Sequence, residues 1–152
     1  MASKRHILRS IVVQALFAWE FRTHQPEAKT AIEEIEAILA YNLVNGPAST
    51  DEHPFAFKLL QKIIAHRDEI KKTIEHYAPE WPWEKIAPLD RAILEVSVAE
   101  LLYDGEIPAL VAINEGIELA KEYGTESSSK FVNGVLSSLY DHLQKATKKQ
   151  AL

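Results

Sequence analysis

Near the start of the chain, Lys4, Arg5, His6, Arg9, Gln14 and Phe17 bring cations, an imidazole, an amide and an aromatic ring into one short stretch. Guanidinium and amide donors suit phosphates and base edges, and an aromatic face gives an unstacked base a platform. Their spacing joins them. Leu8, Ile11, Val12, Ala15, Leu16 and Trp19 recur with helical period, so 3–22 is predicted to be an amphipathic helix with that stripe inward. Opposite the stripe a helical wheel gathers His6, Arg9, Ser10, Gln14 and Phe17, with Arg5 at the margin. That combination suits single-stranded RNA. It equally suits a helix whose Phe17 packs on a neighbouring helix or a second subunit, and both readings stand at this point.

Other chemistry is poorly supported. The six histidines, His6, His24, His53, His66, His76 and His142, are scattered, and no two are four apart as a helical metal site would need. Glu115, Glu118 and Glu122 line one side of a predicted helix and read as a solvated face, since no partner or cleft accompanies them. Neither a nucleophile elbow, a P-loop nor a dinucleotide fingerprint occurs. No cofactor and no catalytic residue is expected. Glu100 falls among Leu89, Ile93, Val96 and Tyr103, on a face that should be buried, and would need hydrogen-bond donors or a cation there.

The 152 residues suffice for one domain with a real core. Zero cysteines exclude a disulfide framework and thiolate metal sites, which fits a reducing cytoplasm. No window is long and apolar enough for a membrane span, and "MASKRHILRS" lacks the apolar core of a secretory signal, so a cytoplasmic protein is expected. The net charge of −5 is unevenly spread: residues 1–9 carry +3, the last twelve carry +2, and 10–140 hold 11 basic against 21 acidic side chains. A body at −10 repels a polyanion, which confines nucleic-acid binding to the basic ends.

The elements that must position these residues are helical throughout. A second helix follows Pro26 to about Leu43, with Ala31, Ile35, Ile38 and Leu39 inward, and "NGPASTDEHP" reads as a mobile loop over about 45–53. Helices are predicted at about 55–65 and 68–77, then a proline- and tryptophan-rich corner, "APEWPWEKIAP". Pro88 suits the first position of a fifth helix that is apolar nearly all round and therefore central. A sixth runs from about Ala109 to Tyr123, with Gly124 placed to end it in the left-handed conformation. The seventh starts among Ser127–Ser129 and runs into the basic tail at 144–152. Within it, Asn133-Gly134 is a hairpin dipeptide inside a helical apolar pattern. A continuous helix is the better reading, with Gly134, like Gly116, expected where another helix crosses too closely for a methyl group.

"RSIVVQALFAWEF", "LDRAILEVSVAELLY", "IPALVAINEGIELAKEYG" and "ESSSKFVNGVL" occur in this order and together resemble the NusB transcription antitermination factors. The resemblance covers the chain from first helix to last except about 23–80. It implies an all-α fold of two small helical bundles and a non-enzymatic, RNA-binding role. NusB proteins pair with NusE, a small-subunit ribosomal protein, on boxA RNA. They act with other Nus factors on the elongating RNA polymerase, notably at ribosomal RNA operons. The family's basic N-terminal RNA contact maps onto Lys4, Arg5, His6 and Arg9, with Gln14 and Phe17 following. Ile7 and Leu8 depart from it, where relatives often carry basic or small residues. The family's NusE-facing helix maps onto Leu89–Arg91, which makes Asp90 the acidic contact candidate. Helix-end stabilisation beside Pro88 is the competing role for Asp90. The segment Glu126–Lys130 also falls near the family's RNA or partner face, with serines in place of a commoner acid.

Two alternatives accompany this resemblance. One is the NusB-like RNA-recruiting module of a cytosine-5 RNA methyltransferase, a role the chain fits only as part of a longer protein, since it has no cysteine and no cofactor-binding strand–loop–helix. The other is a pure protein–protein interaction module, such as a homodimer, whose first-helix face is covered by self-association.

Overall fold

Hydrophobic spacing and proline position set where each helix lies. The structure, a computed structural model, describes residues 3–22, 28–48 and 50–151. The expected join around Pro26, the tip of the 45–53 loop at Ser49 and the chain ends at Met1, Ala2 and Leu152 lie outside those residues, as does the side chain of Ala31. Among the described residues all regular structure is helical, and the chain divides into two units, residues 1–67 and 68–152.

The first unit holds α1 (Lys4–Arg22), α2 (Ala28–Asn45) and α3 (His53–Ala65). Each presents an apolar stripe at helical spacing: Leu8, Ile11, Val12, Ala15, Leu16 and Trp19 from α1, Ile35, Leu39 and Leu43 from α2, and Ala56, Leu59, Leu60 and Ile63 from α3 are buried. The three helices pack on one another. Fully burying each Leu or Ile contributes about 1.5–3 kcal/mol, which is why the stripes converge. Part of the expected 45–53 loop is ordered as a 3-10 turn, Thr50–Glu52, whose chain leads straight into α3 with Pro54 in its first turn.

The second unit contains α4 (Arg67–Tyr77, all but its first residue), α5 (Pro88–Tyr103), α6 (Ala109–Tyr123) and α7 (Glu126–Ala151). Every residue of α5 from Asp90 to Glu100 is buried, as its all-round apolar pattern predicts, and α5, α6 and α7 pack on one another. The corner before α5 is less hidden than its composition suggests. Trp81 is half exposed and stands edge-on to Phe131 at 6.3 Å, while Trp83 is flanked by Arg91 at 5.5 Å and Lys71 at 5.7 Å. Arg91 Nη1 also donates to the Trp83 carbonyl at 2.9 Å, which fixes the corner against the start of α5.

The glycines bear out one expectation and correct two. At Gly116 a Cβ would collide with Ser97 Oγ of α5 and lie 2.9 Å from Leu136 Cδ1 of α7, so the predicted close crossing exists. Asn133-Gly134 does lie within a continuous helix, but a Cβ at Gly134 would have nothing within 4 Å, so no helix crosses there and the glycine is not a packing device. Gly124 ends α6 at φ −113° and ψ −159°, extended rather than left-handed. Its backbone N–H bonds the Ala120 carbonyl, and a Cβ would meet Ser128 at 2.7 Å. Closeness to the first turn of α7, not positive φ, is what favours glycine at this position.

Candidate nucleic-acid interface

The start of α1 is set by Ser3. Its hydroxyl accepts the His6 N–H at 3.1 Å and its carbonyl accepts the Ile7 N–H at 3.1 Å, satisfying donors that a helix start leaves open. Lys4 and Arg5 therefore project from an ordered first turn, and both are exposed.

The wheel predicted one polar face, and the structure divides it. His6 is 7% exposed, Arg9 only 2%, and Ser10 is also buried, whereas Gln14 is exposed and Phe17 half-buried. The reason is tertiary. The 3-10 turn and α3 pack against α1 from a side that the sequence of α1 cannot reveal. Phe55, in the first turn of α3, brings its ring to 4.8 Å from the Arg5 guanidinium carbon and 5.4 Å from that of Arg9. Both lie within cation–π range, and the i,i+4 spacing of the arginines puts them on one helix face.

Further along α1, Gln14 Nε2 donates to Ser10 Oγ at 3.4 Å. Phe17 meets Phe21 at 4.8 Å with rings tilted by 45°, and Phe21 is 61% exposed. The aromatic pair sits about 18–24 Å along the helix from Arg5, from the rise of 1.5 Å per residue. Thus α1 presents a cationic end and an aromatic end. Phe55 and Phe21 are the two members that sequence reading missed. Phe21 was legible as i+4 from Phe17, but nothing near Arg5 in the sequence signals a ring fifty residues away.

Asp90 belongs to the second unit, in the first turn of α5, and is 7% exposed. Ser128 Oγ donates to its Oδ2 at 3.4 Å, while Oδ1 is buried without a hydrogen-bond partner. Burial pushes the carboxyl above its usual range, and the Ser128 hydroxyl pulls it partly back. Asp90 makes no capping bond to the start of α5, where Ala87 is the N-cap residue without a side-chain bond. Ser128 is itself held in place: its N–H donates to Thr125 Oγ1 at 3.2 Å, which starts α7. The segment Glu126–Lys130 thus braces the acidic side chain, and its own Lys130–Glu126 pair at 3.6 Å is exposed and contributes little.

Among the described residues no group of three or more metal-ligating side chains converges, and no helix is long and apolar enough to cross a membrane.

Comparison with known proteins gives a consistent result. The NusB family model matches residues 6–141. A transcription antitermination protein NusB from Dehalococcoides mccartyi is 33% identical over 150 residues, 99% of each chain. One from Thermodesulfovibrio yellowstonii is 36% identical over 139 residues, 90% of this chain and 91% of the relative. Among solved structures, T. maritima NusB superposes with a TM-score of 0.74 at 33% identity over 91% of each chain. A structure of antitermination factors NusB and NusE in complex with double-stranded RNA gives 0.75 at 25% identity, covering 93% of this chain and 99% of that one.

Proposed function

Because the chain belongs to the NusB family of transcription antitermination factors, we propose that it binds boxA RNA together with NusE and supports processive transcription, notably of ribosomal RNA operons. It acts by binding, without catalysis, in the cytoplasm, on the elongating RNA polymerase with other Nus factors. Lys4, Arg5 and the Phe17–Phe21 pair make the RNA contact, Gln14 adds an exposed amide, and His6 and Arg9 back them from buried positions. Asp90 is the acidic contact for NusE, its carboxylate oriented by Ser128.

The observation that carries this reading is the pair of guanidiniums ordered on one aromatic ring at the only strongly basic segment before an acidic body. Such an array suits a polyanion, and the acidic remainder suits a basic ribosomal protein.

The test is a titration of labelled single-stranded boxA RNA, with and without NusE, at two salt concentrations. Binding is expected to tighten several-fold with NusE and to weaken with salt. Equal affinity for an unrelated RNA, or indifference to NusE, would overturn the reading. A double-stranded arm is included because the related NusB–NusE structure contains double-stranded RNA.

A further inference from the structure

We propose that Phe55 is a positioning residue for RNA recognition: its ring holds the Arg5 guanidinium in a fixed plane ready to meet the nucleic acid, while Arg9 is the buried second cation of the same stack. The inference rests on the RNA reading above and adds to it a residue from a different helix. Three observations carry it.

Phe55 stands within 4.8 Å of the Arg5 guanidinium carbon and 5.4 Å of that of Arg9, so one ring serves both cations. The two arginines differ sharply in access, Arg5 being exposed and Arg9 2% exposed. Phe55 itself sits in the first turn of α3, an element tied to α1 by a packed apolar core, so its ring is carried by a rigid support rather than by a loop.

The physical consequence is preorganisation. A free arginine side chain samples many rotamers, and ordering one on binding costs affinity. Stacking on an aromatic face restricts the guanidinium plane while leaving its edge, with the N–H donors, available. An array of this kind presents donors in a defined orientation, which a flexible basic tail would not. It also compensates in part for Ile7 and Leu8, which carry no charge between the two arginines.

The experiment uses the full chain and labelled single-stranded boxA RNA, comparing wild type, Arg5→Ala, Phe55→Leu, Phe55→Tyr and the double variant Arg5→Ala/Phe55→Leu. Phe55→Leu keeps apolar volume and all charges but removes the ring, and is expected to weaken binding about 2- to 10-fold with an unchanged salt slope. Phe55→Tyr is expected to bind like wild type. In the Arg5→Ala background, Phe55→Leu is expected to cost little more, because the ring acts through that cation. If Phe55→Leu loses helicity by circular dichroism, Phe55→Met takes its place. Wild-type affinity in the ring-less variant, or an undiminished loss in the Arg5→Ala background, overturns the positioning role while Arg5→Ala alone still reports RNA binding. Wild-type binding by Arg5→Ala also overturns the positioning role, because the cation it acts through then makes no contact, whereas the RNA reading falls only if the wild-type chain binds an unrelated RNA equally well or is indifferent to NusE.

Discussion

Ser128, in the first turn of α7, donates its hydroxyl hydrogen to Asp90 Oδ2 in the first turn of α5 across 3.4 Å, and Asp90 Oδ1 remains buried with no hydrogen-bond partner. A carboxylate held this way is oriented but incompletely satisfied.

Asp90→Asn tests that relationship. Burial raises the folded-state pKa of this acid above its unfolded value, so the folded state holds the proton more tightly. The stabilisation from that proton is present at acid pH and is lost as pH rises through the raised value. At neutral pH Asp90→Asn is therefore expected to raise Tm slightly, with the difference shrinking toward acid pH. The same change is expected to weaken NusE binding by about tenfold or more, since a charge-assisted hydrogen bond contributes about 1.5–3 kcal/mol. Wild-type affinity should itself improve as pH rises through the range in which Asp90 ionises. Calorimetric titration across pH reads both effects.

Arg5→Ala and Arg9→Ala separate a surface contact from a buried one. Arg5 is exposed, so its loss is expected to change stability by no more than about 0.5 kcal/mol while lowering the salt slope of single-stranded RNA binding by about 0.7. Arg9 is buried against Phe55, so Arg9→Ala is expected to lower Tm by several degrees as well as weaken binding. Thermal melts beside salt-dependent titrations distinguish them, and equal Tm for the two variants would contradict the division of α1.

Gly116→Ala and Gly134→Ala are expected to move stability in opposite directions. A methyl at Gly116 would have to displace both Ser97 and Leu136, an overpacking cost of about 1–3 kcal/mol. At Gly134 it enters open space on a helix and is expected to stabilise by about 0.5–1 kcal/mol. Urea denaturation of the two variants measures both signs.

Ser3→Ala removes the hydroxyl that accepts the His6 N–H and is expected to cost about 0.5–2 kcal/mol of helix stability. Hydrogen exchange at the His6 amide should accelerate, and RNA affinity should fall with it because Lys4 and Arg5 lose their ordered turn. Unchanged exchange would show that the first turn is held by other contacts.

Much of the architecture was legible because its signals are local. Apolar residues three and four apart marked each helix, and α6 begins at Ala109 and ends at Tyr123 as its flanking Pro108 and Gly124 suggested. Pro88 opens α5, whose uninterrupted apolar character placed it at the centre. The candidate site was half legible: Arg5 and Arg9 could be put on one helix face by counting, but their common ring could not. The same gap explains Gly134, since a wheel reports which side of a helix faces inward and not whether a neighbour actually crosses there.

By itself, then, the amino-acid sequence determined the helices, their inward stripes, the basic start and the family, since period, proline and motif act over a few residues. Tertiary structure decided which polar residues of α1 stay in solvent, which glycine is needed, and that Phe55 joins Arg5 and Arg9. Those outcomes depend on contacts between segments distant in the chain, and only the packing of α3 on α1, and of α5 with α6 and α7, brings such segments within van der Waals reach.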